Sequence, residues 1–190
     1  MIGDICPFCR TQSTSMEKAN EMEIKQMEKN DPKAIHNQGS CYSEGKRGYP
    51  QDYSKAIEYW QRSAQLGHAG SYYNIAVAYG FGKGVQRDMK KAEHYFELAA
   101  IGGEVIARHN LGVIEQNKGI MDRALKHHMI AVGSGGTKSL EAVKHLYIKG
   151  KATKENYAEA LRVYQAYLDD IRSDQRDAAA TFSNEYKFCE

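Results

Sequence analysis

The stretch Ala56–Gly67, AIEYWQRSAQLG, returns 36 positions later as Ala92–Gly103, AEHYFELAAIGG. A third version begins at Ala124 as ALKHHMIAVGSG, and a fourth begins at Ala160 as ALRVYQAYL. In each version apolar residues recur every three or four positions, which predicts one amphipathic helix per copy. Recurrence at this period in a sequence rich in helix formers is typical of repeat proteins.

Each copy follows another predicted helix. These preceding helices begin at Ala34, Ser71, Ala107 and Ser139. The repeating unit is therefore helix, turn, helix. One such pair cannot bury its own apolar face, so neighbouring pairs must stack, and the sequence predicts an all-α solenoid.

Small residues stand where the paired helices are expected to cross, because small side chains let two backbones approach closely. They are Gly39, Ala76 and Gly112 in the first helices and Ala56, Ala92, Ala124 and Ala160 in the second. Large aromatic side chains surround these crossings and are predicted to form the core. They are Tyr42, Tyr59, Trp60, Tyr79, Tyr95, Phe96 and Tyr147.

Helix boundaries carry their own signals. The predicted N-caps are Asp31, Asp52, Asp88 and Thr153, and Pro32 occupies the tolerated first helical position. The predicted helix-ending glycines are Gly45, Gly67, Gly82, Gly103 and Gly150.

The turn of the second copy, from Tyr79 to Ala92, reads Y-x-x-G-x-G-V-x-x-D-x-x-K-A. This pattern resembles the Sel1-like repeat, a relative of the tetratricopeptide repeat. The resemblance implies a right-handed α-solenoid of about four repeats, with a capping helix at each end. The predicted organisation is an N-terminal segment at 1–14, a capping helix at 15–30, repeats at 31–67, 68–103, 104–136 and 137–182, and a tail at 183–190, with the last repeat carrying a long C-terminal helix.

The two ends of the array have apolar faces of their own. Met16, Ala19, Ile24 and Met27 share one face of the N-terminal helix. The C-terminal helix is predicted from Lys154 to about residue 182, and it either folds onto repeat four as a cap or forms a dimer seam. We expect the cap, and therefore a monomer.

Composition narrows the function. The 26 basic and 24 acidic residues leave a net charge of +2 and are interleaved, so nucleic acid is not an expected partner. No apolar run is long enough to cross a bilayer and no signal peptide opens the chain, so an intracellular, cytoplasmic location and no membrane partner are expected.

No arrangement of residues indicates catalysis or a cofactor. Gly80–Gly84 superficially resembles a phosphate loop, but it follows a helix and lacks Ser or Thr after Lys83. His127 and His128 are adjacent, so a helix would turn them about 100 degrees apart and away from a common metal. We expect no catalytic site and no cofactor.

Cys6-Pro7-Phe8-Cys9 needs a separate explanation. Two cysteines supply half of a tetrahedral zinc site. The segment resembles the closing Cys-Pro-x-Cys pair of a RING finger, which implies a longer RING plus Sel1-like protein. The alternatives are an unrelated disordered tail with two free thiols, or a redox pair, and this chain alone is expected to bind zinc poorly.

In tetratricopeptide-like arrays the first helices line the concave surface, and the resemblance carries that role to this chain. The implied partner-binding residues are His36, Ser40, Glu44, Tyr73, Val77, Phe81, His109, Val113, Asn117, Glu141 and His145. Asn37, Asn74 and Asn110 recur one place after the first position of each set. Their amides either bond a peptide backbone or join neighbouring helices, and we favour the joint.

Two functions follow. The first is an adaptor that binds a protein or peptide on the concave face of the repeats. The alternative is the substrate-recognition part of a RING-type E3 ubiquitin ligase, with Cys6 and Cys9 as zinc ligands in a complete RING. Upstream zinc ligands in the native protein would distinguish the two.

Overall fold

The structure, a computed structural model, describes residues 22–186, and their side chains as far as residue 172. The predictions for Cys6, Cys9, residues 1–14 and the first part of the N-terminal helix lie outside this range. The described helices are α1 at 22–28, α2 Pro32–Glu44, α3 Tyr53–Gln65, α4 Ala69–Phe81, α5 Met89–Ile101, α6 Val105–Asn117, α7 Met121–Gly133, α8 Thr137–Ile148 and α9 Lys154–Tyr186. No strand occurs between residues 22 and 186, and the predicted all-α class is confirmed.

The chain divides into two compact units, one ending at Gly102 and the other beginning at Gly103. The first contains the helix pairs α2/α3 and α4/α5, and the second contains α6/α7 and α8/α9. Within the described helices, none is both long and apolar enough to cross a membrane.

Helix starts follow the predicted caps. Asp31, Asp52 and Asp88 accept hydrogen bonds from the first-turn amides of α2, α3 and α5. Thr153 Oγ1 accepts from the amide of Asn156 at 3.1 Å at the start of α9. Each bond satisfies an amide that the helix itself leaves without a partner, so the boundaries are set locally.

Glycine at the end of α4 permits a turn that other residues resist. Gly82 has φ of 70° and ends the helix in the left-handed conformation. Gly84, at φ of 71°, lies against the start of α3, where an added Cβ would stand 2.5 Å from Tyr53 Cβ. The glycines of Gly80–Gly84 therefore act as turn and packing residues, as predicted.

The core of the first unit lies between α3 and α4. Trp60 and Ile75 are buried there with Ala56, and Tyr79 and Tyr95 stack at 5.7 Å along its edge. Gly39 admits the Trp60 ring, because an added Cβ would lie 2.7 Å from its Nε1. The predicted pairing of small residues with aromatic rings at the helix crossings is confirmed.

The core of the second unit joins α7, α8 and α9. Val132, Val143 and Ala160 are fully buried, with Tyr157 and Tyr164 packed against them. Glu115 of α6 is also buried, and its carboxylate pairs with Lys118 and Arg123 at 3.3 and 3.4 Å. This buried carboxylate joins α6 to the first turn of α7.

Two expectations about the C-terminal part are wrong. Tyr147 is 38% exposed, because it lies near the end of α8 with one face against Tyr157 and no following repeat among the described residues to cover the other. Residues 183–186 belong to α9 and not to a tail, since no Gly or Pro interrupts the helix. In α1, Ile24 is 50% exposed, and the role of the N-terminal helix as a cap stays a prediction.

Candidate functional site

The first unit has a cleft between α2 and α4, which we call the α2–α4 cleft. Its volume is about 170 Å³. Ser40 and Glu44 of α2 line it together with Asn74 and Val77 of α4. Three of these four are residues that the sequence predicted for partner binding, so the fold brings Ser40, Glu44 and Val77 together.

Three further side chains of the α2–α4 cleft come from outside α2 and α4. Tyr53 and Trp60 come from α3, and Lys83 comes from the turn after α4. The sequence analysis missed all three as site residues, because Trp60 reads as core and Lys83 reads as part of a glycine-rich turn. The signal that could have pointed to Lys83 is its position between two glycines, where a short turn carries it back toward α3.

Aromatic rings surround the Lys83 ammonium. Its Nζ lies 5.4 Å from the centre of the Tyr53 ring and 5.9 Å from that of Phe81. Phe81, another predicted partner-binding residue, is 74% exposed. The edge of the α2–α4 cleft therefore presents an open aromatic ring beside a cation.

His36 and Tyr73 are half-buried and make contacts within the first unit. His36 Nδ1 is 2.8 Å from Ser71 Oγ, which donates at 2.8 Å to Ser63 Oγ. Ser63 Oγ donates in turn to the Pro32 carbonyl at 2.5 Å. Because Ser71 donates its single hydroxyl proton to Ser63, the Ser71 oxygen is the acceptor for His36, and His36 Nδ1 is the donor. Tyr73 is half-buried, with its ring 5.8 Å from that of Phe96.

This hydrogen-bond chain, which we call the first joint, links α2 to both α3 and α4. Burial lowers the pKa of His36 to about 4, and the neighbouring His68 ring, 4.4 Å away, adds to the effect. Removal from water disfavours the charged imidazole, so His36 is neutral at physiological pH.

The second unit repeats the joint. His109 Nδ1 lies 2.9 Å from Ser139 Oγ, so His109 and Ser139 correspond to His36 and Ser71. Burial, aided by Lys138, lowers the pKa of His109 as well. In the repeat between them, the aligned positions are Tyr73 and Ala107, so the hydroxyl is absent where the histidine is absent.

The remaining predicted residues of the second unit are more open. His109 lines a cleft of about 310 Å³ formed with Ile106, the turn at residues 134–136 and the first residues of α8. Val113 is 36% exposed. Asn117, Glu141 and His145 are exposed on α6 and α8. The role of these five residues in partner binding stays a prediction.

The recurring asparagines do not form the joint that we favoured. Between residues 22 and 172, no side-chain hydrogen bond links Asn37, Asn74 or Asn110 to another described residue. Hydrogen bonds between His36 and Ser71 and between His109 and Ser139 join the helices instead. The amide of Asn74 is consequently left facing the α2–α4 cleft without a protein partner in the described chain.

His128 replaces the aromatic ring of the earlier repeats. It is fully buried, and burial lowers its pKa to about 4, with further contributions from His109 and His127. Its Nε2 lies 3.0 Å from Gln116 Nε2. Among the described residues, no group of three or more His, Cys, Asp or Glu side chains could hold a metal ion.

Comparison with known proteins identifies the repeats. Residues 32–68 and 69–104 match the family model described as Sel1 repeat. The solved structure of a Sel1 repeat protein from Oxalobacter formigenes is similar, with a TM-score of 0.65 and 27% identity over 81% of this chain and 63% of that one. The family match covers the first two of the four predicted repeats, and the predicted helical-repeat solenoid is confirmed.

A second solved structure shares the fold. It is a protective antigen present in uropathogenic Escherichia coli strains and displaying an SLR fold. Its TM-score is 0.66, at 23% identity over 79% of this chain and 33% of that one. At this identity the likeness concerns the fold alone.

The curated relatives are much longer proteins. The ERAD-associated E3 ubiquitin-protein ligase component HRD3B of Arabidopsis thaliana is 37% identical over 89 residues, 47% of this chain and 14% of that protein. Chitin synthase regulatory factor 3 of Schizosaccharomyces pombe is 31% identical, over 57% of this chain and 12% of that protein. DAP3-binding cell death enhancer 1 of Mus musculus is 31% identical, over 60% of this chain and 30% of that protein. The chain thus spans less than a third of each relative.

Proposed function

We propose that this chain, whose residues 32–104 are two Sel1 repeats, is a non-catalytic interaction module that binds a partner protein or peptide on its first helices. The proposal rests on one observation: Ser40 and Glu44 of α2 and Val77 of α4, the first helices of two neighbouring repeats, line the same cleft. The proposal includes no cofactor and no nucleic acid. A cytoplasmic location stays a prediction.

The exposed ring of Phe81 adds support. Exposed apolar surface rimmed by polar groups is typical of an interaction site. Phe81 lies next to Lys83 at the edge of the α2–α4 cleft, so burial of the ring by a partner would also cover the cleft. Burial of one such ring stabilises a complex by roughly 1.5–3 kcal/mol.

Site-specific crosslinking tests the proposal against a matched control. Phe81 ends α4 and Ile101 ends α5, and their exposures are 74% and 78%. Gly102 lies beside Ala69 at the start of α4, so the two positions occupy opposite ends of the helix pair. A benzoylphenylalanine at residue 81 should capture a defined partner in the native cells, and one at residue 101 should not.

The captured partner is then purified and titrated. Phe81→Ala should weaken its binding at least tenfold, while Ile101→Ala should leave the dissociation constant within twofold. Capture only from residue 101, or equal effects of the two substitutions, would reject the first-helix surface as the binding site.

We propose a second function on a narrower basis: this chain is the substrate-recognition part of a RING-type ubiquitin ligase. The similarity to a protein named as an E3 ubiquitin-protein ligase component supports it, as does the Cys6 and Cys9 pair in the sequence. Full-length native protein, incubated with activating and conjugating enzymes, should then form ubiquitin chains and lose this activity in Cys6→Ser/Cys9→Ser. No activity with native protein would leave the adaptor proposal alone.

A further inference from the structure

Trp60 forms part of the wall of the α2–α4 cleft. The residue is 5% exposed, and its buried Nε1 packs against Gly39 of α2, where an added Cβ would stand 2.7 Å from this nitrogen. The indole N–H is therefore not open to a ligand in the cleft. The ring itself lines the cleft, so its resonances report on what binds there.

Two hydrogen-bond donors line the same cleft. The Asn74 amide has no side-chain hydrogen bond to another described residue. Lys83 has no carboxylate within 4.0 Å among residues 22–172, and its ammonium rests over the rings of Tyr53 and Phe81. Aromatic faces attract a cation without neutralising it, so Lys83 stays available to an anion.

The acidic member of the cleft is already paired. Glu44 forms an ion pair with Lys46, and this pairing raises the pKa of Lys46. The Ser40 hydroxyl donates to the His36 carbonyl at 3.2 Å. The ammonium of Lys83 and the side-chain amide of Asn74 therefore remain available to donate to a ligand in the cleft.

The size of the cleft limits what it can hold. About 170 Å³ is well below the 300–1,000 Å³ typical of small-molecule and cofactor sites. It equals the volume of about six water molecules in the liquid. One side chain of a partner fits this volume, whereas a nucleotide or a cofactor does not.

We infer that the α2–α4 cleft binds the carboxylate of an acidic side chain, Glu or Asp, carried by an extended segment of a partner protein. Lys83 supplies the positive charge, and the Asn74 side-chain amide supplies an N–H donor to a carboxylate oxygen. Phe81 covers the adjoining residue of the segment. The inference rests on the proposed function, since it names the chemistry that the first-helix surface recognises.

Trp60 is the only tryptophan in the sequence, so one indole resonance reports on the cleft. The probes are five-residue peptide mixtures, acetylated and amidated, with Glu, Gln or Lys fixed at the centre and the other four positions randomised. We expect the Glu mixture alone to shift the Trp60 indole N–H signal in a heteronuclear NMR titration. A matched Gln mixture with a free C-terminal carboxylate should have no effect.

Substitutions link the shift to the cleft. Lys83→Gln should weaken the response to the Glu mixture at least tenfold, and Asn74→Ala should weaken it severalfold. Lys90→Gln, another exposed lysine of the first unit, should leave it unchanged. The side chain of Lys83 is exposed, so this variant should keep the thermal melting temperature of the parent, which circular dichroism checks.

Each other result overturns the inference and bears differently on the proposed function. A response to the Lys mixture alone would show that Glu44 selects a basic partner, and the interaction surface would stand. A response only to the free-acid peptides would assign the cleft to a chain terminus. No response from any mixture, with a partner still crosslinked at Phe81, would remove the cleft from recognition, whereas loss of both would reject the proposed function too.

Discussion

The ring of His128 lies so close to Gly112 that a Cβ added to this glycine would stand 2.5 Å from His128 Cε1. Gly112 belongs to α6 and His128 to α7, so this contact fixes how closely the two helices pack. The first unit has the same relationship between Gly39 and Trp60, at 2.7 Å. Both crossings place a ring against a glycine, although the ring is an imidazole in one and an indole in the other.

Gly112→Ala should therefore destabilise the protein. The added methyl group forces His128 or the α6 backbone to move, which costs about 1–3 kcal/mol and exceeds the gain of about 0.5–1 kcal/mol in helix propensity. Gly80→Ala is the matched control, because its Cβ would meet only Ala92 Cβ at 3.7 Å. Urea unfolding followed by circular dichroism measures both, and a Gly112→Ala variant as stable as the parent would contradict the close contact.

Stability should fall in acid because of His128. Its pKa in the folded state, about 4, lies below the ordinary value of 6.5, so the unfolded chain takes up the proton first. The free energy of unfolding should thus decrease as the pH falls from about 7 to 4, and His128 should account for about 2 kcal/mol of the difference between pH 7.5 and pH 5. Denaturant unfolding across this range measures the slope.

His128→Gln should reduce that slope, and His94→Gln, at an exposed position, should not. Part of the slope should remain, since His36 is shifted in the same direction. A pH profile that is identical in His128→Gln and the parent would exclude His128 as the source.

The first joint should also be detectable by substitution. Ser71→Ala removes the acceptor of His36 and the donor to Ser63, and we expect a loss of about 1–3 kcal/mol. His36→Tyr/Ser71→Ala copies the pairing of Tyr73 with Ala107 in the sequence of the next repeat. This double variant should recover part of the loss, with a coupling energy of about 0.5–3 kcal/mol.

Thermal and urea unfolding of the two single variants and the double variant complete this cycle. Ser54→Ala, which removes an exposed hydroxyl 3.4 Å from the Gly84 carbonyl, is the control and should change little. Strictly additive effects of His36→Tyr and Ser71→Ala would show that the two residues do not act as a pair.

The protein should be a monomer in solution. Tyr157 and Tyr164 of α9 pack on Val132 and Val143 within the second unit, which uses apolar surface that a dimer seam would need. Sedimentation velocity at micromolar concentration should give a single species of 21.4 kDa. A species of twice that mass, lost on Leu161→Glu at the exposed side of α9, would favour the dimer seam instead.

Local features of the fold were predictable from the sequence. Asp52 and Asp88 cap their helices because the bond runs from a side chain to an amide two or three residues away, which the sequence contains in full. Gly39 was predictable at a crossing because its lack of a side chain is a property of the residue alone. The exposure of Tyr147 was not predictable, because it depends on which residues pack against the end of α8.

The candidate site was predictable only in part, for a related reason. Ser40, Glu44 and Val77 were predicted from the resemblance to tetratricopeptide-like arrays, in which the first helices line the binding surface. The His36 contact with Ser71 depends on two side-chain orientations 35 residues apart, and the unpaired indole of Trp60 depends on which atoms surround it. Residue type does not contain this information, so an apparent core residue proved to line the cleft.

The joint that closes on Ser71 also bears on how the protein is made. Its longest bond in sequence joins His36 to Ser71, 35 positions apart, and the whole chain of bonds lies between Pro32 and Ser71. A domain that emerges from the ribosome at about 5–20 residues per second folds as its parts become available. The joint can therefore close a few seconds after α2 emerges, once α4 has followed it, and the first unit can be complete while the second is still being synthesised.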